Sequence, residues 1–298
     1  MVIRRALHYV LKVANLADNV KFFRDQLGMT VLRHEVFDSG CEAACNGPYD
    51  NKWSKTMIGY GPEDDYFVLE LTYNYSVGKY NLGNDINYLK IKAAADLFNK
   101  IKESEREESQ ESDETLELVS PDGYKFIVEQ LEEGKKTDVT QVCLSCIDLN
   151  KSKNYWINLL KCELYSESER ELVFGYSDKQ TSLKLIKIDS ELNHATAYGR
   201  IAFSCPASEL KSIEALVADN KHTILTPYIS LDTPGKASVE VVILADPDGH
   251  EICFVGDEGF RELSKVDPDA NKLIDQSIAD DKSAEWFAKK KKFKKDAS

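Results

Sequence analysis

"LHYVLKVANLADNVKFFRDQLGMTVL", residues 7–32, returns in altered form as "TQVCLSCIDLNKSKNYWINLLKCELY", residues 140–165. Each stretch reads as an apolar strand, a short turn, an amphipathic helix carrying an aromatic pair, and a second strand. The pairs are Phe22 with Phe23 and Tyr155 with Trp156. MIGYG at 57–61 then matches VFGYS at 173–177, and each leads into a strand that ends in ELTY or KLIK.

A second repeat follows each of these. INYLKIKAAADLFNKI at 86–101 corresponds to YGRIAFSCPASELKSIEALVA at 198–218, and SPDGYKFIVEQ at 120–130 to DPDGHEICFVG at 246–256. Pro-Asp-Gly makes a tight turn between two strands, because Pro presets φ and Gly accepts positive φ. The reading is α+β, with four βαβββ modules in two tandem domains at 1–134 and 135–257. A helical extension and basic tail occupy 258–298. The acidic block KESEREESQESDETLE at 102–117 reads as a helix end and a solvated loop, and KKKKFKK near the C-terminus as a frayed, solvated tail.

Composition narrows the function. A formal charge of −13 argues against a nucleic-acid surface, and no run approaches the roughly eighteen apolar residues of a membrane span. Small-molecule or protein partners fit better. Seven cysteines, mostly in apolar runs, suit a reduced, cytoplasmic compartment. Cys143 and Cys146 have CxxC spacing, but on a strand that separation points them to opposite faces, so core packing is expected. Cys41 and Cys45 lack a second ligand pair. Residues 1–17 are basic and free of acids like a mitochondrial transit segment, yet cleavage would remove the core strand ALHYVLKV. Mitochondrial association stays open.

Polar residues in apolar strands are the candidates for chemistry. His8 and Glu70 each interrupt such a strand and could converge on the concave face of a curved sheet. The competing readings are a hydrogen-bonded core histidine and a Glu70 that is paired or protonated. His34, His194, His222 and His250 show no ligand-spaced pair.

ALHYVLKV, LGMTVLRH, GYGPEDD, ELTYNYSVGKYNLG and the two PDG hairpins resemble the glyoxalase I family (lactoylglutathione lyase) of the vicinal-oxygen-chelate superfamily. The likeness is close over 5–130 and looser over 139–257. It implies tandem vicinal-oxygen-chelate domains, a Zn²⁺ or Ni²⁺ ion and glutathione as co-substrate, acting on the methylglyoxal–glutathione hemithioacetal. Transferred position by position, the family's ligand set is retained at His8 and Glu70, while Tyr88 and Ile127 replace the other two ligands. In the second domain Gln141 stands at the first ligand position, followed by Lys184, Arg200 and Cys253. The expected metal residues are therefore His8, Glu70 and Gln141, with Glu70 also the candidate base. Lys12, Asn74, Tyr88 and Arg200 stand at or near the substrate positions. Glu129 and Glu251, two residues from Ile127 and Cys253, are candidate replacements for the missing carboxylates. Because the quartet is incomplete, the alternative is a catalytically silent protein that binds a small anionic metabolite or a protein partner.

Overall fold

The computed structural model describes residues 4–37, 52–105, 115–132, 134–231, 238–289 and 294–297. Cys41, Cys45 and the centre of the acidic block lie outside them. The first module runs β1 (Arg5–Val13), α1 (Leu16–Val20), β2 (Thr30–Phe37), β3 (Trp53–Gly59) and β4 (Val68–Asn74). A short β5 (Val77–Lys79) precedes the second module, β6 (Ile86–Ala93), α2 (Ala95–Glu105), β7 (Thr115–Val119) and β8 (Lys125–Gln130). The third comprises β9 (Asp138–Cys146), α3 (Leu149–Lys153), β10 (Glu163–Glu167), β11 (Glu171–Gly175) and β12 (Ser182–Lys187). The fourth comprises β13 (Arg200–Cys205), α4 (Leu210–Asp219), β14 (Ile224–Leu231), β15 (Val239–Ala245) and β16 (Glu251–Gly256).

The two halves of the opening repeat fold alike for local reasons. Asn15 and Asp148 each cap the helix that follows their strand, accepting hydrogen bonds from backbone N–H groups that have no partner within the helix. Both helices then widen into π turns, at Lys21–Gln26 and Asn154–Leu159, where two adjacent aromatics are buried together. Phe22 and Phe23 pack on Phe126, while Trp156 packs on Phe174 and Phe203.

The pairing of modules was beyond the reach of sequence, and it is crosswise. An eight-stranded sheet has the order β14-β15-β16-β13-β1-β4-β3-β2, and a seven-stranded sheet β10-β11-β12-β9-β6-β8-β7. The first module thus joins the fourth through antiparallel β1 and β13, and the second joins the third through antiparallel β6 and β9. Both sheets span the point at residue 134 where the two halves of the chain meet.

The PDG turns hold these bodies together. Gly123 and Gly249 have φ of 90° and 87°, as the turn requires. The aspartate before each glycine has a further role. Asp122 accepts from Ala14 N and Asn19 Nδ2, and Asp248 accepts from Ile147 N and Ser152 Oγ. Each hairpin therefore fastens the strand-to-helix junction of a module in the other sheet. The linkers also touch: Asn84 N donates to Asn193 O at 2.8 Å, and a Cβ on Gly83 would overlap that same carbonyl oxygen.

Beyond the fourth module come α5 (Asp257–Leu263), α6 (Ala270–Asp280), α7 (Ser283–Lys289) and β17 (Lys295–Asp296). This extension contains three helices among the described residues, and the last described residues are not frayed. β17 pairs with β5, Lys294 Nζ donates to the Tyr73 hydroxyl at 2.6 Å, and Ala297 is buried. An apolar methyl and a paired backbone outweigh the repulsion among the neighbouring lysines. Among the described residues no helix is long and apolar enough to cross a membrane.

Candidate active site

Strand alternation separates two faces on the eight-stranded sheet. Tyr9, Leu11, Leu69, Leu71, Ile201 and Phe203 join the main core with α1 and α4. The opposite face carries His8, Glu70, Arg200 and Glu251. Glu70 and Arg200 both lie across from Val10, and Glu251 lies across from Arg200, so one row across four strands carries three charges around Val10. Cys253 is one step further along, opposite Ala202.

His8 is held at both ends. Its Nδ1 is 2.5 Å from Glu63 Oε1, and its Nε2 is 3.6 Å from Glu70 Oε2. Glu63 is buried and also accepts from Arg33 Nη2 at 3.0 Å, while Arg33 Nη1 donates to Leu263 O. Burial would raise the pKa of Glu63, but His8, then Arg33 and Lys55, hold it below the ordinary value. Lys55 pairs with Glu35 at 3.0 Å, and Arg200 grips Glu251 through Nε at 2.8 Å and Nη2 at 2.6 Å. Glu70 instead meets His8 and the Thr72 hydroxyl. Helix α5 closes this face: the Phe260 ring centroid is 6.1 Å from that of His8, and Leu263 packs in the same apolar cluster as Leu7, Ala202 and Val255.

The seven-stranded sheet gathers the other candidates. Tyr88 donates to Gln141 Oε1 at 3.3 Å, and Gln141 Nε2 donates to Ser182 at 3.1 Å. Lys184 pairs with Glu171, and Lys90 with Glu129 at 2.5 Å. Tyr88, Lys90, Gln141 and Lys184 are half-buried, and Lys90 and Gln141 line an open cleft of about 640 Å³. Gln141 and Glu129 are thus in a different sheet from His8 and Glu70. Lys12 and Asn74 sit at the other end of the eight-stranded sheet's site. Lys12 Nζ lies 3.2 Å from the Tyr198 ring centroid and 3.4 Å from Thr196 O, and Asn74 donates to Tyr80.

Cys143 and Cys146 are both buried, with their thiols pushed by burial up to about 12, as core cysteines are. The histidines require a correction. His194 and His250, 56 positions apart in sequence, converge with Asp85 so that a ligand atom from each lies within 4.8 Å of the others. It is the one such group of three His, Cys, Asp or Glu among the described residues. Sequence spacing missed it because the three residues come from two linkers and a turn.

Glyoxalase domain-containing protein 4 of Rattus norvegicus is 54% identical over 294 residues, covering 98% of each chain. This chain belongs to the glyoxalase domain-containing protein 4 family. Glyoxalase 1 of Caenorhabditis briggsae is 47% identical over 95% of this chain and 99% of its own. A family model described as glyoxalase domain-containing protein 4-like, C-terminal domain, matches residues 148–263. Glyoxalase I from Zea mays has the same fold, with a TM-score of 0.69 at 23% identity over 88% of this chain and 95% of that one. The α+β vicinal-oxygen-chelate architecture is that of this glyoxalase-family protein.

The sequence reading missed Glu63, Arg33 and Phe260 as parts of the site. Glu63 stands in GYGPEDD among other acids, where nothing local marks it for burial. Phe260 reads as one apolar position of an appended helix. Arg33 carried the best signal, a charge within a strand whose neighbours Val31 and Leu32 are apolar.

Proposed function

We propose that the His8 face of the eight-stranded sheet is a glyoxalase site that isomerises the hemithioacetal of methylglyoxal and glutathione to lactoylglutathione, with a divalent metal. The observation that carries this is the pairing of His8 Nε2 with Glu70 at 3.6 Å while Glu63 holds the other ring nitrogen. A carboxylate on the far nitrogen is the support that metal-bound histidines commonly have.

Two bonds of about 2.1 Å to atoms 3.6 Å apart subtend about 118°, an angle open to two ligands of one four-coordinate ion. His8 and Glu70 therefore fit as one imidazole and one carboxylate ligand, with water for the remaining positions. Arg200 and Glu251, locked to each other, supply none. A Zn²⁺ or Ni²⁺ ion bound there would lower the energy of the enediolate formed when the carbon-bound proton leaves.

The chain's own residues do the rest. Glu70, paired with the His8 ring, carries the proton between adjacent carbons. Glu63, anchored by Arg33, fixes the ring of His8. Phe260 and Leu263 exclude water from the face, which strengthens every charge interaction on it. Lys12 and Asn74, both buried on the same face, are the candidates for contact with the glutathionyl group.

The anion-binding alternative draws less support. Its two cations, Arg200 and Lys184, are each committed to a carboxylate. Formation of lactoylglutathione by purified protein, with metal content measured on the same sample, tests the proposal. Expected are one equivalent of Zn²⁺ or Ni²⁺ at His8 and Glu70, and activity that Glu70→Gln lowers by about 10² to 10⁴ while the chain stays folded. Folded, metal-loaded protein that makes no product above background would overturn it.

A further inference from the structure

The crossing of the two linkers carries a second cluster of metal-capable side chains, away from either polar sheet face. Asp85 and His250 are buried, His194 is half-buried, and Asp85 and His194 come from opposite linkers. Each imidazole is tied to a backbone carbonyl through Nε2: His194 to Asp248 O at 2.9 Å, and His250 to Ser145 O at 2.7 Å. A carbonyl oxygen only accepts, so both Nε2 atoms carry hydrogen, and Nδ1 is the nitrogen left for a ligand. His194 Nδ1 stands 3.0 Å from Asp85 Oδ2.

The surroundings favour positive charge. Asp246 is buried beside the cluster, where it accepts from His250 N and Trp156 Nε1.

We propose that Asp85, His194 and His250 bind a divalent transition metal of the zinc class, which cross-links the two linkers to the β15–β16 turn. Two imidazoles and one carboxylate are nitrogen and oxygen donors that suit such an ion. The N–H to carbonyl bonds orient both rings as metal-bound histidines are oriented. The 3.0 Å between His194 and Asp85 already suits two ligands at about 2.1 Å from one ion. One ligand atom from each of the three residues lies within 4.8 Å of the other two, so small side-chain movements bring the set around one ion. The His194 side chain, 27% exposed, leaves an entry path and room for water as fourth ligand. On binding, the proton between His194 and Asp85 leaves and the ion takes its place.

This site is separable from the glyoxalase proposal. The full chain carrying His8→Ala and Glu70→Gln, stripped with a chelator, is titrated with Zn²⁺ alone. It should take up one zinc per chain and gain about 5 °C in melting temperature at a hundred-fold excess over Kd. Co²⁺ in the same variant should give visible d–d absorption from a low-symmetry site. Adding His194→Gln, which retains a hydrogen bond to Asp85, or the isosteric Asp85→Asn should weaken zinc binding at least ten-fold while the chain stays folded. Absence of stoichiometric zinc from the His8→Ala, Glu70→Gln chain would overturn the site. So would zinc affinity unchanged by His194→Gln and Asp85→Asn, or a chain that either change destabilises but whose melting temperature zinc does not move. That last result identifies a protonated His194–Asp85 ion pair only.

Discussion

The two sheets are assembled by the same rule, one module joined to another through an antiparallel seam, and yet only one of them encloses its polar face. On the eight-stranded sheet α5 covers the face, Glu63 is buried at its centre, and His8 meets Glu70. On the seven-stranded sheet the equivalent face stays half-exposed, and Gln141 is engaged by Tyr88 and Ser182. Enclosure decides what the charges do. Lys184 with Glu171 is 17% and 44% exposed, a pair of the kind worth under about 1 kcal/mol, whereas Glu63 and Arg33 at 1% and 3% require each other. Removing Arg33 alone would strand a buried carboxylate.

Four measurements bear on this contrast. The largest effect belongs to chemistry: Glu70→Gln should cost about 10² to 10⁴ in lactoylglutathione-forming kcat/KM. Lys184→Gln, at the matching position of the other sheet, should leave that rate within about two-fold. Equal losses from both would end the assignment of the site to one sheet.

Phe260→Ala removes the cover and makes the enclosed face resemble the open one. Truncating this buried ring should cost about 3 to 5 kcal/mol, measured by urea unfolding, and lower the isomerisation rate as water enters. A variant that loses stability with kcat unchanged would show that the cover serves folding alone.

The sheets should also respond oppositely to pH. His34 in β2 is buried and its pKa is lowered to about 4, so the neutral ring's stabilisation is present above about 6.5 and is lost as pH falls through 4. Its size is at most about 3 kcal/mol. Asp138 in β9 is raised by burial to about 7, so its contribution is present below about 3.8 and is lost as pH rises through 7. Unfolding free energies measured from pH 4 to 8 should therefore show His34→Gln gaining relative stability at the acid end. Asp138→Asn should gain it at the neutral end. Parallel shifts would contradict the contrast.

The smallest effects test what the two bodies share. Asp122→Ala and Asp248→Ala each remove one carboxylate that fastens a strand-to-helix junction across the sheets, and each should cost about 1 to 3 kcal/mol. A tenfold difference between their unfolding constants would show that the two fasteners are not equivalent.

The repeat, the helix caps, the PDG turns and the alternation of His8 and Glu70 with apolar neighbours were all legible in sequence, because each depends on residues within a few positions. The same locality explains the failures. Nothing near KKKKFKK foretold that Lys294 would reach Tyr73, and His194 and His250 look unrelated until the linkers cross. Glu251 and Cys253 are equally placed by alternation, and only the register of β13 with β16 puts Glu251, not Cys253, opposite Arg200.

By itself, then, the sequence determined four modules, their strand faces and the pair His8 and Glu70. Tertiary structure alone decided that the first module joins the fourth, that Glu63 and Phe260 enclose the pair, and that Arg200 is committed to Glu251. The reason is physical. Periodicity and capping act along the chain, whereas seam choice and charge pairing depend on which apolar faces and which unpaired edges can meet once the chain has folded back on itself.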